Sequence, residues 1–147
     1  MRVLIVCLGN ICRSPVGEGL LRHHASEQHF PLIVDSAGTS GWHQGALPDE
    51  RSMEVMRQHG HDISDQRARP LVHDDLHLYD IILAMDSKNL NDIESMGTRS
   101  AQAALFVPGE NVPDPYYGGH DGFQRVYDMI DVAAKNWITL WKEEENQ

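Results

Sequence analysis

The chain has 147 residues, of which 41% are hydrophobic, enough for one domain with a single core and too many for a disordered segment. Its 22 acidic and 12 basic residues give a formal net charge of −10, which argues against nucleic acid or anionic lipid as partner, because polyanion binding needs clustered Lys and Arg. The two cysteines, Cys7 and Cys12, stand close together, a pattern that suits catalysis or redox chemistry rather than a disulfide framework.

The first apolar run, Val3 to Val6, is consecutive and aliphatic, as a strand covered on both faces tends to be. It is too short for a signal-peptide core, and no run approaches the roughly 20 apolar residues of a membrane span, so a cytoplasmic protein with no membrane partner is expected. Ser14 and Pro15 read as an N-cap and first helical residue, opening a helix to about Gln28. Leu32 to Val34 is a second short strand. Asp49 begins a second helix that carries Met53 and Met56 inward and stops at Gly60. Asp74 and Asp75 suit a solvated turn, and Ile81 to Ala84 forms the third strand. Asp86 or Ser87 caps a helix with Leu90, Ile93 and Met96 on one face and Gly97 at its end. Ala103 to Val107 is the fourth apolar run. The longest helix runs from about Gly122 to Lys142, with Phe123, Val126, Tyr127, Ile130, Ala134, Trp137, Ile138 and Trp141 inward. Glu143 to Gln147 follow as a solvated tail. Alternation of this kind predicts an α/β fold, a single domain over residues 1–147 whose parallel sheet has helices on both faces. Ligands bind such sheets beyond the carboxyl ends of the strands, and the loop after Val6 lies there.

That loop reads Cys7-Leu8-Gly9-Asn10-Ile11-Cys12-Arg13-Ser14-Pro15, between a buried strand and a helix start. A helix N-terminus offers unpaired N–H groups and positive potential, and a loop curling over it makes an anion nest. Gly9 and Asn10 are residue types that tolerate the positive φ of a tight cradle. Arg13 supplies a planar fork for two phosphate oxygens, which lysine cannot. The same field favours Cys7 as a thiolate, the reactive form, and Ser14 can donate a hydrogen bond to its sulfur. Either cysteine alone would read as a small buried hydrophobe. A Cys, five residues and Arg-Ser-Pro in this setting read instead as a phosphate-binding nucleophile loop.

Here the chain resembles the low-molecular-weight protein tyrosine phosphatases, whose signature the loop matches at every position. The resemblance extends to Asp35-Ser36-Ala37-Gly38, Trp42, Ile82-Leu83-Ala84-Met85-Asp86 and Asp114-Pro115-Tyr116-Tyr117-Gly118. It implies a four-stranded parallel sheet flanked by helices, no metal or other cofactor, and two-step hydrolysis of phosphotyrosine proteins and small aryl phosphates. Cys7 would be the nucleophile and Arg13 the phosphate clamp. Leu8, Gly9, Asn10, Ile11, Cys12 and Ser14 would form the phosphate cradle, braced by hydrogen bonds from Asn10 and Ser36. Trp42, Tyr116 and Tyr117 correspond to the substrate walls. Many animal members carry a histidine shortly before an Ala-Arg pair, where this chain has Gln66, so bracing from that side is an open point.

A departing phenolate, whose conjugate acid has a pKa of about 10, needs a proton. Asp114 lies in a loop fixed by Pro113 and Pro115 with aromatic neighbours, a setting that favours a protonated acid. From the residues alone an Asp-Pro turn is the better reading, and the resemblance makes Asp114 the general acid. Other signals carry less. Gly17-x-Gly19 lacks the third glycine of a dinucleotide fingerprint, and His73 and His77 have metal-like spacing with no further pair to complete a site.

The nearest rival is arsenate reduction on the same scaffold, but the residues after Arg13 include no cysteine to carry oxidation outward. A rival of another class is a phosphotyrosine-reading module without catalysis, which would not need Cys7 or Asp114. The protein substrate, a tyrosine kinase being one possibility, and the choice between a monomer and a weak dimer lie outside the sequence. Cys12 reads equally as a redox partner for Cys7, making the enzyme redox-sensitive, or as a buried cysteine packing beneath the loop.

Overall fold

The computed structural model describes residues 1–147. Four strands, β1 (Arg2–Cys7), β2 (Ile33–Gly38), β3 (Ile81–Ala84) and β4 (Gln102–Leu105), form one sheet in the order β2-β1-β3-β4 with every pair parallel. Parallel neighbours require crossovers, supplied by α1 (Arg13–Glu27), α2 (Glu50–Gln58), α3 (Asp75–Leu78) and α4 (Ser87–Glu94), with α5 (His120–Glu145) closing the chain. The expected four-stranded α/β architecture is the one observed.

β1 lies at the centre and is buried on both faces, which is why its apolar residues run consecutively. Its period of two divides them. Val3, Ile5 and Cys7 join Leu20 and Leu21 of α1, Met53 and Met56 of α2, and Ile130 and Ile138 of α5. Leu4 and Val6 join Leu76 of α3, Ile82 and Ala84 of β3, and Ile93 of α4 on the other face. Cys7 pairs with Gly38, and Val6 with Ala84, so three strands end nearly level beneath the loop that follows Cys7.

Several boundaries differ from expectation for local reasons. Ser14 is not the N-cap: α1 begins at Arg13 with Cys12 in the cap position, no side chain closing that end and Pro15 at the third helical position. β4 starts one residue before the apolar run and stops at Leu105, because Phe106 turns into the core and is fully buried. As an edge strand β4 is only half covered. α4 ends at Glu94, short of Gly97, which takes a φ of 116°. α5 begins two residues earlier and extends through Glu145, and Trp137 is half-buried, its Nε1 donating to the Phe106 carbonyl at 2.7 Å.

Asp74 is an exposed turn residue as expected, but Asp75 is not solvated. Asp75 opens α3, is 3% exposed, and accepts from Arg69 Nη1 and Nη2 at 3.0 and 3.1 Å and from the Val72 N–H at 2.9 Å. A buried carboxylate persists only when paired, and Arg69, six residues upstream, brings the partner.

Candidate active site

The loop leaving β1 turns at Asn10, which takes a φ of 58°. Gly9 does not adopt positive φ, and the reason for glycine there is space: a Cβ would meet His43 Cδ2 at 3.0 Å. Gly38 faces the loop from β2, where a Cβ would lie 2.8 Å from the Leu8 carbonyl oxygen and 3.1 Å from the Asn10 nitrogen. No side chain fits between β2 and the loop.

Four of the loop's carbonyls are spoken for. Cys7 accepts from Thr39 N–H at 2.9 Å, Leu8 from Ser40 N–H at 2.9 Å, Ile11 from Asp49 N–H at 2.8 Å, and Cys12 from the Ser52 hydroxyl at 3.1 Å. The backbone N–H groups of Leu8 through Cys12, by contrast, donate to no protein acceptor. With the uncapped start of α1 beside them, they form a cluster of free donors above the sheet, the composition of an anion nest.

Side chains fix the geometry around Cys7. Its sulfur lies 3.1 Å from Ser14 Oγ. Asn10 Nδ2 donates to Ser14 Oγ at 2.8 Å and to Ser36 Oγ at 2.9 Å, and Ser36 donates to Glu18 Oε1 at 2.8 Å. Because Ser14 Oγ already accepts from Asn10, its own proton is free for the sulfur. This explains why Ser14 does not cap α1. Asn10 Oδ1 in turn accepts from Arg69 N–H at 3.0 Å. Gln66 is buried and donates to the Pro15 carbonyl at 3.1 Å, so it steadies the first turn of α1, and bracing of the loop from that segment comes through the Arg69 backbone.

Arg13 is 2% exposed. Its Nη1 donates to Asp86 Oδ2 at 2.6 Å and to the Val112 carbonyl at 2.9 Å, while Nε and Nη2 have no hydrogen-bond acceptor. The Asp114 carboxylate stands 3.7 Å from Nη2. Burial pulls the guanidinium down, but the Cys7 sulfur, the Asp86 bond and the Asp114 charge carry it above its ordinary value, so it stays cationic. Asp86 serves twice, since its Oδ1 caps α4 by accepting from Asn89 N–H at 2.8 Å.

Cys7, Leu8, Gly9, Ile11, Cys12 and Arg13 form the floor of one pocket whose sides are Trp42, His43, Asp114, Tyr116 and Tyr117. Trp42 is 76% exposed and Tyr117 95%, whereas Tyr116 is half-buried with its ring perpendicular to that of Tyr117. The pocket thus gathers Cys7, Leu8, Gly9, Ile11, Cys12, Arg13, Trp42, Asp114, Tyr116 and Tyr117 of the residues expected at the site, while Asn10, Ser14 and Ser36 stand one layer behind, bonded to one another. A larger apolar groove along α5, lined by Val107, Met129, Val132, Trp137 and Leu140, contains no nucleophile or cation.

Sequence reasoning missed Glu18, His43 and Arg51. Glu18 had a signal: it lies four residues after Ser14, on the same face of α1. Burial pushes its carboxyl up, against the Ser36 and Arg22 bonds that pull it down. Arg51 bonds its near neighbour Asp49 and the carbonyls of Tyr116 and Gly118, the latter two more than sixty residues away, which spacing could not show.

Residues 2–147 match the family model of the low molecular weight phosphotyrosine protein phosphatases. The chain is 39% identical to the low molecular weight phosphotyrosine protein phosphatase of Schizosaccharomyces pombe, over 94% of this chain and 95% of that protein. It is also 39% identical to the Homo sapiens protein of the same description, over 92% of each. The crystal structure of a protein tyrosine phosphatase from Entamoeba histolytica with Hepes in its active site superposes with a TM-score of 0.93 at 35% identity, covering 99% of both chains. The chain belongs to the low molecular weight protein tyrosine phosphatases. Membership makes it an enzyme, a protein tyrosine phosphatase among the phosphoric monoester hydrolases. No helix of this phosphatase is long and apolar enough to cross a membrane.

Proposed function

We propose that this phosphatase hydrolyses protein phosphotyrosine and small aryl phosphates through a cysteinyl-phosphate intermediate. The observation that carries the reading is the juxtaposition, in one pocket, of buried Cys7, the uncommitted Nε and Nη2 of Arg13, and Asp114 3.7 Å from that guanidinium. The free N–H groups of Leu8 to Cys12 and the Arg13 edge hold the three terminal phosphate oxygens. The Cys7 sulfur attacks phosphorus as the bond to the phenolic oxygen breaks, and Asp114 gives that oxygen its proton. The resulting Asp114 carboxylate takes a proton from water, whose oxygen attacks the phosphocysteine, and the sulfur leaves as a thiolate stabilised by the Ser14 hydroxyl. Asn10 and Ser36 keep Ser14 in place. Trp42, Tyr116 and Tyr117 flank the phenyl ring, for which an aromatic-sided slot is the natural fit.

The physiological substrate under this reading is a phosphotyrosine protein of the cytoplasm, with a tyrosine kinase as one candidate, met by a monomer or weak dimer. Arsenate reduction is not favoured, since the relatives described above are phosphatases. The test is a panel of phosphotyrosine peptides and aryl phosphates assayed with chelator, beside arsenate with a thiol reductant. Turnover of the aryl phosphates in chelator, with no arsenite formed, is the expected result. Arsenite production without phosphatase turnover overturns it.

A further inference from the structure

We propose that Arg51 is the positioning residue that holds Asp114 over the phosphate loop, an inference that rests on Asp114 being the proton donor. The first turn of α2 is fastened to the loop from below. Asp49 N–H donates to the Ile11 carbonyl at 2.8 Å and the Ser52 hydroxyl to the Cys12 carbonyl at 3.1 Å. From the same turn Arg51 reaches across the pocket edge, Nη2 donating to the Tyr116 carbonyl at 2.8 Å and Nη1 to the Gly118 carbonyl at 3.0 Å. Its fork is itself aimed. Nε and Nη2 each donate to the Asp49 carboxylate at 3.1 Å, and the guanidinium lies 4.4 Å from the centroid of the Phe123 ring in α5.

Beyond packing and the 3.7 Å approach of Asp114 to Arg13, the segment it meets has no other hydrogen bond to the body of the protein. Pro113 and Pro115 carry no N–H, and the Tyr116 and Gly118 N–H groups are used within the segment, on Asp114 Oδ1 at 3.1 Å and the Pro115 carbonyl at 2.9 Å. The two bonds from Arg51 are therefore the only hydrogen bonds joining residues 113–118 to the rest of the molecule. Tyr116 links the two ends: its N–H holds the Asp114 carboxylate and its carbonyl is held by Arg51. Asp49 and Arg51 thus form one rigid strut from the loop that binds phosphate to the residue that protonates the leaving group. A misplacement of about 1 Å at a reacting group can cost roughly 100-fold, so the strut bears on rate.

The experiment compares wild type with Arg51→Gln and Arg51→Lys, alone and combined with Asp114→Asn, after thermal unfolding has established which variants are folded. Turnover of phenyl phosphate, a poor leaving group, is set against 4-nitrophenyl phosphate, a good one. The expected loss in kcat for R51Q is about tenfold or more on phenyl phosphate and under about threefold on the nitrophenyl ester, with KM little changed, because only the proton transfer is displaced. On the D114N background R51Q should cost nothing further. R51K, whose point charge cannot meet two carbonyls and a carboxylate together, should resemble R51Q, and it decides the matter if R51Q does not fold. Equal losses on both esters, or the full loss repeated in D114N, overturn the role of Arg51. If D114N itself loses both esters equally, the assignment of Asp114 fails, and the inference about Arg51 falls with it.

Discussion

Arg13 is buried with part of its donor set uncommitted. A buried cation normally has every donor paired, yet here Nη1 satisfies Asp86 and Val112 while Nε and Nη2 meet no acceptor. That imbalance is tolerable where an anion completes the set, and it does not depend on the sulfur beside it. Cys7→Ser should therefore remove turnover by at least about 10³-fold, since a hydroxyl without a base is a far weaker nucleophile, while calorimetry finds inorganic phosphate affinity within about threefold of wild type. Activity within tenfold of wild type would rule out the covalent route. Cys12 sits differently. Burial, with Asp49, Cys7 and Asp114 adding to it, pushes its thiol well above the ordinary range, so it captures an oxidised neighbour slowly. Mild peroxide should still convert Cys7 to a sulfenic acid that Cys12 traps as a disulfide, and dithiothreitol should restore activity. Cys12→Ser should keep most of its phosphatase activity but recover poorly. The slow thiol adds a signature, a shrinking recoverable fraction as peroxide is raised and over-oxidation overtakes capture. A serine variant that recovers as fully as wild type would leave Cys12 a packing residue only.

The elements themselves were legible where one residue decides locally. Four apolar runs located four strands, and Asp49 and Asp86 cap α2 and α4 by accepting from Arg51 and Asn89 N–H as their positions suggest. Legibility failed where a side chain's partner is set by the tertiary fold and not by its own turn. Ser14 reads both as a cap and as a donor to Cys7, and only the second role is observed, while Asp75 looks solvated because nothing local marks Arg69 as its partner. Glu18 shows the same limit and has a measurable effect. Its carboxyl is raised above the ordinary 4.5, so the native state holds that proton more tightly than the unfolded chain. The stability this contributes is present below about pH 4.5 and lost as pH rises through the native value, leaving a cost at neutral pH. Glu18→Gln, which keeps an oxygen to accept from Ser36, should therefore raise Tm at pH 7. The gain should shrink as the pH is lowered toward 4.5. A difference that grows in acid would contradict the sign.

The whole molecule works against its own substrate. A net charge of −10 surrounds a pocket that takes a phosphate dianion, and only the local donors and Arg13 reverse the field. At about 10 mM salt the screening length is roughly 30 Å and the full charge is felt, whereas at 0.15 M it is about 8 Å. For an acidic phosphotyrosine peptide kcat/KM should rise severalfold across that range, and for a peptide with flanking lysines it should fall, which stopped-flow or steady-state assays can follow. Salt dependence of the same sign for both peptides would mean that the global field does not act on encounter.

The three indoles are distributed so that one stands apart. Trp42 is 76% exposed at the rim above the carboxyl ends of the strands, while Trp137 and Trp141 stack 5.4 Å apart, with Trp141 against Phe30 and beside Met1 at the amino end of β1. Solvent-exposed indoles emit further to the red than enclosed ones and are open to collisional quenching, so the red edge of the emission belongs chiefly to Trp42. The protein thus has an internal optical reporter of occupancy. In the inactive Cys7→Ser form, a phosphotyrosine peptide seated against Trp42 should protect the red-edge emission from acrylamide while leaving the blue edge unchanged, so that occupancy is read without a label and without turnover.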